Sequence, residues 1–479
     1  MVVGDFTSSS EVVVVGGGPG GYVAAIRAAQ LGQEVTLIEK EYLGGVCLNW
    51  GCIPSKALIE ASGFWHHLEN LAELGIFAKQ VSLDLQKTHA WKDQIVSKLR
   101  QGIETLVQQN GIELLRGTAL FASDQQLHVS TKEGLRRIEF ENLILAPGSR
   151  PSALPDLAVD HENIIDSTDA LALQTIPKHL VVIGAGSIGL ELGIVFRKFG
   201  AQVTILEWFD KLLPKMEPEI SRVLQRSLQK LGINLVLGAK VENIHQVQQG
   251  QHIVYQHNGT SQTVVAEKVL MAVGRIPNTD QLSLERTSIN ILPNGFIPVN
   301  EKLQTNVPNI FAIGDVVAGP LLAHRASHMG KIAAEVCADL PAAFDNLAIP
   351  NIIFSDPEIA IVGLTEEEAR SQGYRVKAGV FPFRALGRAL TLNEPEGLTQ
   401  VNVDAETGIV LGVHIIGPHA SDLIAEGTLA VETSAHLDDL TLTIHAHPTL
   451  PEGIAEAAEA VENRAIHIFN PSLKKTAGH

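Results

Sequence analysis

Two segments of the chain share one glycine-rich pattern and lie 168 residues apart. The first, EVVVVGGGPGGYVAAIRAAQLGQEVTLIE, runs from Glu11 to Glu39, and the second, HLVVIGAGSIGLELGIVFRKFGAQVTILE, runs from His179 to Glu207. They align without a gap, and each predicts a buried strand, a glycine turn, an amphipathic helix, a second strand and an acidic end. The recurring residues of the first copy are Gly16, Gly18, Gly21, Gly32 and Glu39, matched in the second by Gly184, Gly186, Gly189, Gly200 and Glu207.

This spacing suits a bound dinucleotide. The first glycine permits a tight turn, the second lets the backbone approach a pyrophosphate, and the third lets helix and strand pack closely. The phosphates then lie at the helix N-terminus, on free N–H groups and the positive end of the helix dipole. One such motif can be an ordinary glycine turn, but two full copies predict two dinucleotides in one chain.

The acidic end of the second copy favours NAD over NADP. Glu207 can accept a hydrogen bond from a free ribose 2′-hydroxyl and would repel a 2′-phosphate. The residues that follow, Trp208, Phe209 and Asp210, include no arginine that could bind that phosphate.

Further segments indicate an α/β chain with several domains. A length of 479 residues is too great for one core and suggests about three domains. NLILAPGSRP and KVLMAVGRIPN each resemble an apolar strand ending in a turn, at Gly148 and Gly274, where the chain would leave and re-enter a domain. After residue 345, short strands precede apolar helical stretches, which predicts a separate α+β domain.

The segment TNVPNIFAIGDVV predicts a short strand that ends at Gly314 and Asp315. An acid at the carboxyl end of a strand in a nucleotide-binding fold is well placed for ligand hydroxyls. A turn aspartate would give the same pattern.

Composition excludes several classes of partner. The net charge of −17 argues against nucleic acid and anionic membranes, which both require basic patches. The N-terminal MVVGDFTSSS has no basic or long apolar region, so we expect a short tail and no signal peptide. No window approaches twenty apolar residues, so we expect no membrane span. Three cysteines in a chain of this length suit a reducing compartment, and we expect the cytoplasm.

Two of those cysteines, Cys47 and Cys52, lie together in GGVCLNWGCIPSK. A zinc site needs about four ligands, and the sequence has no second cysteine cluster. A structural disulfide is unusual in a reducing compartment, which leaves a redox pair. In one regular helix, residues five apart have Cα atoms roughly 8–9 Å apart, whereas a disulfide needs less than about 7 Å. Bonding the pair therefore requires a distorted first turn, for which Gly51 supplies flexibility.

The segment GGVCLNWGCIPSK resembles the redox motif of the flavoprotein disulfide reductases. The two dinucleotide motifs, the Gly–Asp segment at Asp315 and the C-terminal HAHPTLPE follow in that family's order, and the resemblance covers essentially the whole chain. Within the family, the chain most resembles the NAD-dependent enzymes that reoxidise protein-bound dihydrolipoamide in 2-oxoacid dehydrogenase and glycine-cleavage complexes.

The resemblance implies a fold of two Rossmann-like domains and a C-terminal α+β dimerisation domain. We expect an FAD-binding domain at residues 1–150, an NAD-binding domain at 151–278, a central part returning to the FAD domain at 279–346 and an interface domain at 347–479. The residues implied for FAD are Gly16, Gly18, Gly21, Glu39, Lys56, Ala119, Gly148, Asp315 and Ala323. Those implied on the NAD side are Gly184, Gly186, Gly189, Glu191, Glu207, Val241 and Gly274.

The resemblance also implies catalytic roles. Cys52 faces the flavin, Cys47 exchanges with the substrate, His447 is the acid/base and Glu452 orients it. His445 is then supporting structure. The implied partners are a second copy of the chain, which supplies His447, and a lipoyl-bearing acyltransferase or glycine-cleavage H protein.

The chain departs from the family pattern at two positions. Pro147 stands in APGS where the family usually has threonine, and Val46 replaces a usual threonine beside Cys47. The loss of a hydroxyl and an N–H at Pro147 affects the joint between domains. A further implied pair beside the flavin is Lys56 with Glu191.

Other functions stay open at this point. A glutathione-reductase-like enzyme would need arginines near Glu207, and a mercuric reductase would add a cysteine pair to the tail NPSLKKTAGH, which has none. A flavin- and NAD-bound redox sensor without turnover is a different class of protein. The intact set of Cys47, Cys52 and His447 argues against that class.

Overall fold

The computed structural model describes residues 7–77, 79–248 and 250–470. The chain divides into two compact units, one formed by Met1–Thr175 with Met271–Asp345 and the other by Ile176–Leu270 with Asn346–His479. Of the N-terminal tail expected from the sequence, residues 1–6 lie outside the described part, and residues 7–10 already belong to the first strand. The division into four segments stays a prediction.

The first segment of the first unit contains both the first glycine turn and the cysteine pair. Its strands are β1 Thr7–Val15, β2 Val35–Glu39, β3 Glu113–Ser123, β4 Gln126–Thr131, β5 Gly134–Leu145, β6 Ser149–Pro151 and β7 Ile164–Ile165. Its helices are α1 Pro19–Gln30, α2 Gly45–Trp50, α3 Cys52–Asn70, α4 Leu85–Gln109 and α5 Ser167–Ala172.

The next segment, in the second unit, contains the second glycine turn. Its strands are β8 His179–Ile183, β9 Gln202–Leu206, β10 Asn234–Val236, β11 Lys240–Val247, β12 Gly250–His257, β13 Thr260–Ala266 and β14 Lys268–Met271. Its helices are α6 Ser187–Lys198 and α7 Pro218–Lys230.

The chain then returns to the first unit and ends in the second. The returning segment has β15 Arg275–Pro277, β16 Ile310–Ala312 and α8 Ala323–Cys337. The last segment has strands β17 Asn351–Ile353, β18 Glu358–Gly363, β19 Val376–Pro382, β20 Leu398–Asp404 and β21 Val410–Gly417. Its helices are α9 Glu366–Ser371, α10 Gly387–Thr391, α11 Ala420–Glu432, α12 Leu437–Thr441 and α13 Glu452–Val461. Short 3₁₀ turns occupy Leu71–Leu74, Asn278–Gln281, Leu284–Arg286, Gly314–Val316 and Phe383–Ala385.

A mainly parallel sheet forms the centre of the first unit. Parallel pairs join β3 to β2, β2 to β1, β1 to β5 and β5 to β16, while β4 adds an antiparallel hairpin. The valines of β1 and the end of β5 are fully buried, as expected for parallel strands covered on both faces. Each such side chain contributes about 1.5–3 kcal/mol by burial.

Helix α8, from the returning segment, packs along α1. Small residues permit the close approach, because a Cβ at Gly330 would overlap the carbonyl oxygen of Gly20. An ion pair between Arg27 and Glu335, 2.7 Å long, joins the two helices nearer their ends. This packing places the loop before α8, which contains Asp315, in the same unit as the first glycine turn.

The described residues of the second unit form strands of three sheets. Strands β10, β9 and β8 are parallel, and β14 lies next to β8. Strands β11, β12 and β13 form an antiparallel meander. The C-terminal sheet is antiparallel in the order β17–β18–β21–β20–β19, with α11 and α13 packed on it.

Candidate functional site

The first glycine turn has the predicted strand–turn–helix–strand form. Gly16 has φ of 101°, a backbone conformation that glycine adopts without strain. A Cβ at Gly21 would overlap the carbonyl oxygen of Gly16, so the start of α1 packs on the turn only because Gly21 has no side chain. The Glu39 carboxylate at the end of β2 accepts the Gly17 N–H at 2.6 Å and the Glu41 N–H at 2.7 Å.

The second turn repeats this geometry. Gly184 also has φ of 101°, and a Cβ at Gly189 would overlap its carbonyl oxygen. The Glu207 carboxylate accepts the Ala185 N–H at 2.6 Å and the Phe209 N–H at 2.9 Å. The alignment made from the sequence is therefore also a structural repeat.

Both helix starts fit a pyrophosphate. Gly18 and Gly186 are the N-cap residues of α1 and α6, and among the described residues no side chain caps either helix. Their first-turn N–H groups, which other helices satisfy with a side chain, are thus suited to phosphate oxygens and the helix dipole. The two acids at Glu39 and Glu207 lie at the adjoining strand ends, where ribose hydroxyls would be bound.

The cysteines lie at a break between two helices. The sequence indicated one helix for both, but Cys47 is in the short α2 and Cys52 begins α3, with Gly51 between them at φ −140° and ψ −109°. A Cβ at Gly51 would lie 3.0 Å from the Val46 carbonyl oxygen, so the tight connection favours glycine. The helix break at Gly51 therefore takes the place of the distorted first helical turn expected from the sequence.

Cys47 and Cys52 are both in the thiol form in this structure, and their side chains interact with each other. A hydrogen bond with the Cys52 side chain, followed by burial and the negative charge on Cys52, raises the pKa of Cys47 far above its usual value. The Lys56 ammonium and a hydrogen bond from the Cys52 backbone lower the pKa of Cys47 but do not offset those causes.

The cysteine helices adjoin the first glycine turn. A Cβ at Gly45, the first residue of α2, would lie 2.7 Å from the Cα of Gly18. Cys47 and Cys52 and the first glycine turn are thus neighbours within one unit.

The strand β6 and the returning strand β15 form a two-stranded antiparallel ribbon that leads to Asp315. Ser149 Oγ donates to Asp315 Oδ2 at 2.5 Å, and Arg275 Nε donates to Ser149 Oγ at 2.7 Å. Asn278 donates from Nδ2 to the Pro147 carbonyl oxygen at 3.0 Å. Proline at position 147, where the family usually has threonine, therefore still accepts a hydrogen bond through its carbonyl oxygen.

The remaining FAD-side residues lie in the same unit. Lys56 is in α3, Ala119 is buried in β3, Gly148 has φ of 71° just before β6, and Ala323 begins α8. Their contact with FAD stays a prediction.

His447 and Glu452 form a hydrogen-bonded pair in the second unit. His447 Nδ1 lies 2.9 Å from Glu452 Oε1, and the other carboxylate oxygen accepts the Thr449 N–H at 2.7 Å. The side chain of His447 is 78% exposed, which leaves Nε2 accessible. Burial raises the pKa of Glu452, but the hydrogen bonds from Thr449 and His447 outweigh it and hold that pKa below its usual value.

His445 has different surroundings. Its Nε2 lies 2.8 Å from Glu426 Oε1 and its Nδ1 3.0 Å from the Thr443 carbonyl oxygen, and its side chain is only 8% exposed. Both ring nitrogens are engaged, which agrees with a supporting role.

The sequence did not predict a second histidine–glutamate pair, in which the glutamate lies on α13 and the histidine follows that helix. His467 Nδ1 lies 2.6 Å from Glu456 Oε1, and Glu456 lies one helical turn after Glu452. The four-residue spacing of two glutamates on an amphipathic helix was the signal available in the sequence.

The NAD-side residues other than the glycine turn lie at several places. Glu191 is buried in α6 and accepts the Phe354 N–H at 3.0 Å, Val241 is in β11, and Gly274 has φ of 118° before β15. Glu191 and Lys56 belong to different units, and their pairing stays a prediction.

A lysine that the sequence did not single out, Lys240, lies near the end of β9. Lys240 Nζ is 5.5 Å from the centroid of the Trp208 ring, which is 61% exposed. The sequence did not predict this contact because Lys240 and Trp208 are far apart in the chain.

One group among the described residues could bind a metal ion. Donor atoms of His161, Asp166 and Asp169 lie within 4.8 Å of one another. Asp166 and Asp169 form the capping box of α5, and Asp169 also binds His161 at 2.9 Å. The group is explained by helix capping and a surface ion pair.

The described residues contain no helix long and apolar enough to cross a membrane.

Comparison with known proteins accounts for both parts of the chain. Residues 10–330 match the pyridine nucleotide-disulphide oxidoreductase family, and residues 349–458 match the dimerisation domain of that family. The dimerisation domain supports a homodimer.

Curated relatives and solved structures agree. The chain is 48% identical to the dihydrolipoyl dehydrogenase of Geobacillus stearothermophilus over 98% of this chain and 100% of that protein. It is 45% identical to the dihydrolipoyl dehydrogenase of Bacillus subtilis over the same shares. The crystal structure of LpdA from Mycobacterium tuberculosis matches with a TM-score of 0.87 at 26% identity, covering 94% of this chain and 99% of that one.

These matches confirm the predicted fold class and the resemblance drawn from the redox motif. They also make FAD and NAD(H) the cofactors, which the two glycine turns fit. The chain belongs to the pyridine nucleotide-disulphide oxidoreductase family.

Proposed function

We propose that this protein is a dihydrolipoyl dehydrogenase, which oxidises protein-bound dihydrolipoamide to lipoamide and reduces NAD⁺ to NADH. The observation that carries the proposal is the interacting pair Cys47 and Cys52 at the α2–α3 break, beside the first glycine turn. The full-length relatives named dihydrolipoyl dehydrogenase support the choice of substrate.

Cys47 is the residue that exchanges with substrate. Starting from the Cys47–Cys52 disulfide, a substrate thiolate attacks the Cys47 sulfur, forms a mixed disulfide and releases the Cys52 thiolate. The second substrate thiolate then attacks the lipoyl sulfur of the mixed disulfide, so that lipoamide leaves and Cys47 is released. The two electrons and the protons of the substrate are then on the protein.

FAD held at the first glycine turn would supply the two-electron redox chemistry between the dithiol and NAD⁺ held at the second glycine turn, and one proton would be released overall. The side chain that this step requires is an electron-rich Cys52. The position of Cys52 at the start of α3, in the same unit as the first glycine turn, supports that assignment.

His447 moves the substrate protons. Its Nδ1 is held by Glu452, so the exposed Nε2 can accept a proton from a substrate thiol and return one in the reverse direction. The ionised Glu452 stabilises the imidazolium that forms. His447 is supplied by the second subunit, so each dimer contains two composite sites.

The glycine turns divide the cofactors between them. Gly16, Gly18, Gly21 and Glu39 bind FAD, and the residues implied in addition are Lys56, Ala119, Gly148, Asp315 and Ala323. Gly184, Gly186, Gly189 and Glu207 bind NAD(H), and the residues implied in addition are Glu191, Val241 and Gly274. The uncapped helix starts and the matching carboxylate contacts support two dinucleotide sites. The closeness of Gly45, which begins the first cysteine helix, to Gly18 supports FAD at the first turn.

The macromolecular partner is a lipoyl-bearing protein, an acyltransferase or a glycine-cleavage H protein. The low cysteine content and the bacterial origin of the relatives support action in the cytoplasm.

A direct assay tests the function. The purified protein should reduce NAD⁺ with dihydrolipoamide, and a Cys47→Ser, Cys52→Ser double variant that retains FAD is the control. Reduction of glutathione disulfide by NADPH in place of the lipoamide reaction would contradict the proposal. Absence of both reactions in protein that contains FAD would favour a redox sensor.

A further inference from the structure

Two histidines face each other across the β11–β12 hairpin of the second unit. The antiparallel register pairs His245 directly with His252, and the next pair toward the turn is Gln246 with Gln251. Gln251 Nε2 donates to Gln246 Oε1, so side chains as well as backbone close that next pair. Because directly opposed residues of an antiparallel ladder have neighbouring Cβ atoms, the sheet itself holds the two imidazoles together.

The geometry of the two rings fits a shared metal ion. Their centroids lie 4.7 Å apart, and the ring planes are inclined by 47°. With a metal–nitrogen bond of about 2.0–2.1 Å, an ion lies about 3.2 Å from each ring centroid, and centroids 4.7 Å apart then subtend about 95° at the ion. This angle lies between the octahedral and the tetrahedral bond angle, so the ion requires ring rotation but no change in the spacing of the rings.

His252 has a ring nitrogen that lacks a partner. Its Nδ1 is shielded from solvent, and no described residue forms a hydrogen bond with it. A buried polar atom without a partner costs free energy, and a bound ion would remove that cost. The opposite ring, that of His245, is exposed, so it can rotate to present a nitrogen to the same ion.

The histidine pair differs from the acidic group at α5. In that group, His161 Nδ1 is already bound to Asp169, and Asp166 caps the helix. Ring packing alone would explain why two imidazoles lie together on a sheet, but it leaves the Nδ1 of His252 unsatisfied. The net charge of −17 also favours a cation as the missing partner.

We propose that His245 and His252 form a binding site for a divalent transition-metal ion. Imidazole nitrogen is a ligand suited to Zn²⁺, Ni²⁺ and Cu²⁺, whereas Mg²⁺ prefers oxygen. The ion joins β11 to β12, and water completes its coordination. The residue before β11, Ala239, donates its N–H to the Glu207 carbonyl oxygen at 2.7 Å, so the ion braces the hairpin that continues from the second dinucleotide turn. The site uses neither cysteine nor glycine turn, so it is independent of the proposed function.

The probe is Ni²⁺, added to FAD-loaded protein in which Cys47 and Cys52 form a disulfide. Oxidation of the pair removes the thiolates that would compete for the ion. Isothermal titration measures the affinity, and the melting temperature measures stabilisation, because an ion that binds only the folded chain raises it. Mg²⁺ in place of Ni²⁺ is the control for non-specific effects of charge.

His245→Gln and His252→Gln each remove one ligand. The matched control is His257→Gln, since His257 also lies on β12 but pairs with Thr260 rather than with a second imidazole. Because His245 is exposed, its replacement tests the site even if His252→Gln does not fold.

Chemical modification locates the bound ion. Diethyl pyrocarbonate acylates free imidazole nitrogens, and a bound ion blocks this reaction. Residues 241–268 form one tryptic peptide that contains His245, His252 and His257, so mass-spectrometric fragmentation compares all three within one molecule. Ni²⁺ should protect His245 and His252 and leave His257 reactive.

We expect the parent and His257→Gln to bind one Ni²⁺ per chain that is lost from the other two variants. Each of those variants should bind at least about tenfold more weakly, since loss even of an outer-shell partner costs 10- to 100-fold in metal affinity. Their melting temperatures should no longer rise with Ni²⁺. Parental affinity in His245→Gln, or unprotected His245 and His252 in the parent, would overturn the site and leave ring packing as the reason for the pair. Equal stabilisation by Mg²⁺ would also overturn it.

Discussion

Glu452 holds His447 through Nδ1 at 2.9 Å and uses its second oxygen to hold the Thr449 N–H at 2.7 Å. One carboxylate thus fixes the orientation of the imidazole ring and the conformation of the loop that carries it. The same arrangement recurs one helical turn later, where Glu456 holds His467 through Nδ1 and accepts the Ile466 N–H at 3.1 Å. The two glutamates lie on the same helix, α13, and both imidazoles are exposed, so the second pair offers a matched control for the catalytic assignment.

His447→Gln should lower lipoamide turnover by about 10²–10⁴-fold, the usual contribution of a general acid–base group. FAD content should be unchanged, because His447 lies in the C-terminal segment. The measurement is kcat/KM for dihydrolipoamide together with the flavin-to-protein ratio. His467→Gln is the control and should stay within a few-fold of wild type, whereas equal losses in both variants would place the effect in the structure of α13.

The two cysteine variants should differ in colour. Cys47→Ser leaves a Cys52 thiolate beside oxidised flavin and should show a long-wavelength absorption band without reductant. Cys52→Ser should lack that band, and the wild-type protein should develop it after two-electron reduction. Absorbance spectra check this prediction, and the opposite behaviour of the two variants would exchange the roles of the cysteines.

Alanine at the third glycine of each turn should affect one cofactor at a time. A Cβ at Gly189 would overlap the Gly184 carbonyl oxygen, so Gly189→Ala should open the second turn and raise the dissociation constant of NADH. The strain from overpacking is about 1–3 kcal/mol, or roughly 5- to 150-fold. FAD content should stay intact in Gly189→Ala and fall in Gly21→Ala. Loss of flavin from Gly189→Ala with unchanged NADH binding would reverse the assignment.

Subunit mixing tests the composite site. Inactive Cys47→Ser and His447→Gln chains are combined at equal amounts under conditions that allow exchange. In a hybrid dimer, one site carries both defects and the other neither, so about a quarter of all sites should recover activity. Recovered activity is measured after exchange has been verified with differently tagged chains. Verified exchange without recovery would place Cys47 and His447 of each site on one chain.

A buried histidine should make the fold less stable in acid. Burial lowers the pKa of His414, although Glu217 acts in the opposite direction. His414 is therefore neutral in the folded state, and its contribution to stability is present above the unfolded pKa of 6.5 and lost as the pH falls below it. The melting temperature should drop between pH 7 and pH 5.5.

Replacing His414 by glutamine should reduce this dependence on pH. Some dependence should remain, because burial also lowers the pKa of His89 and His179. His419→Gln, at an exposed histidine, is the control and should keep the wild-type slope. An unchanged slope in His414→Gln would show that other groups control acid stability.

The sequence alone determined the two dinucleotide turns, because their constraints are local. Gly16 and Gly21, like Gly184 and Gly189, are required by contacts between atoms five residues apart, and the strand that ends in the acid follows within one βαβ unit. The cysteine pair was equally visible, since only four residues separate Cys47 from Cys52.

Only the tertiary structure decided contacts between distant segments. The break at Gly51 divides the cysteines between two helices, where the sequence predicted only a distorted first turn. The contacts of Arg275 with Ser149 and of Lys240 with Trp208 join residues far apart in sequence. No periodicity or spacing encodes such pairs, because they depend on which strand ends the sheets place side by side.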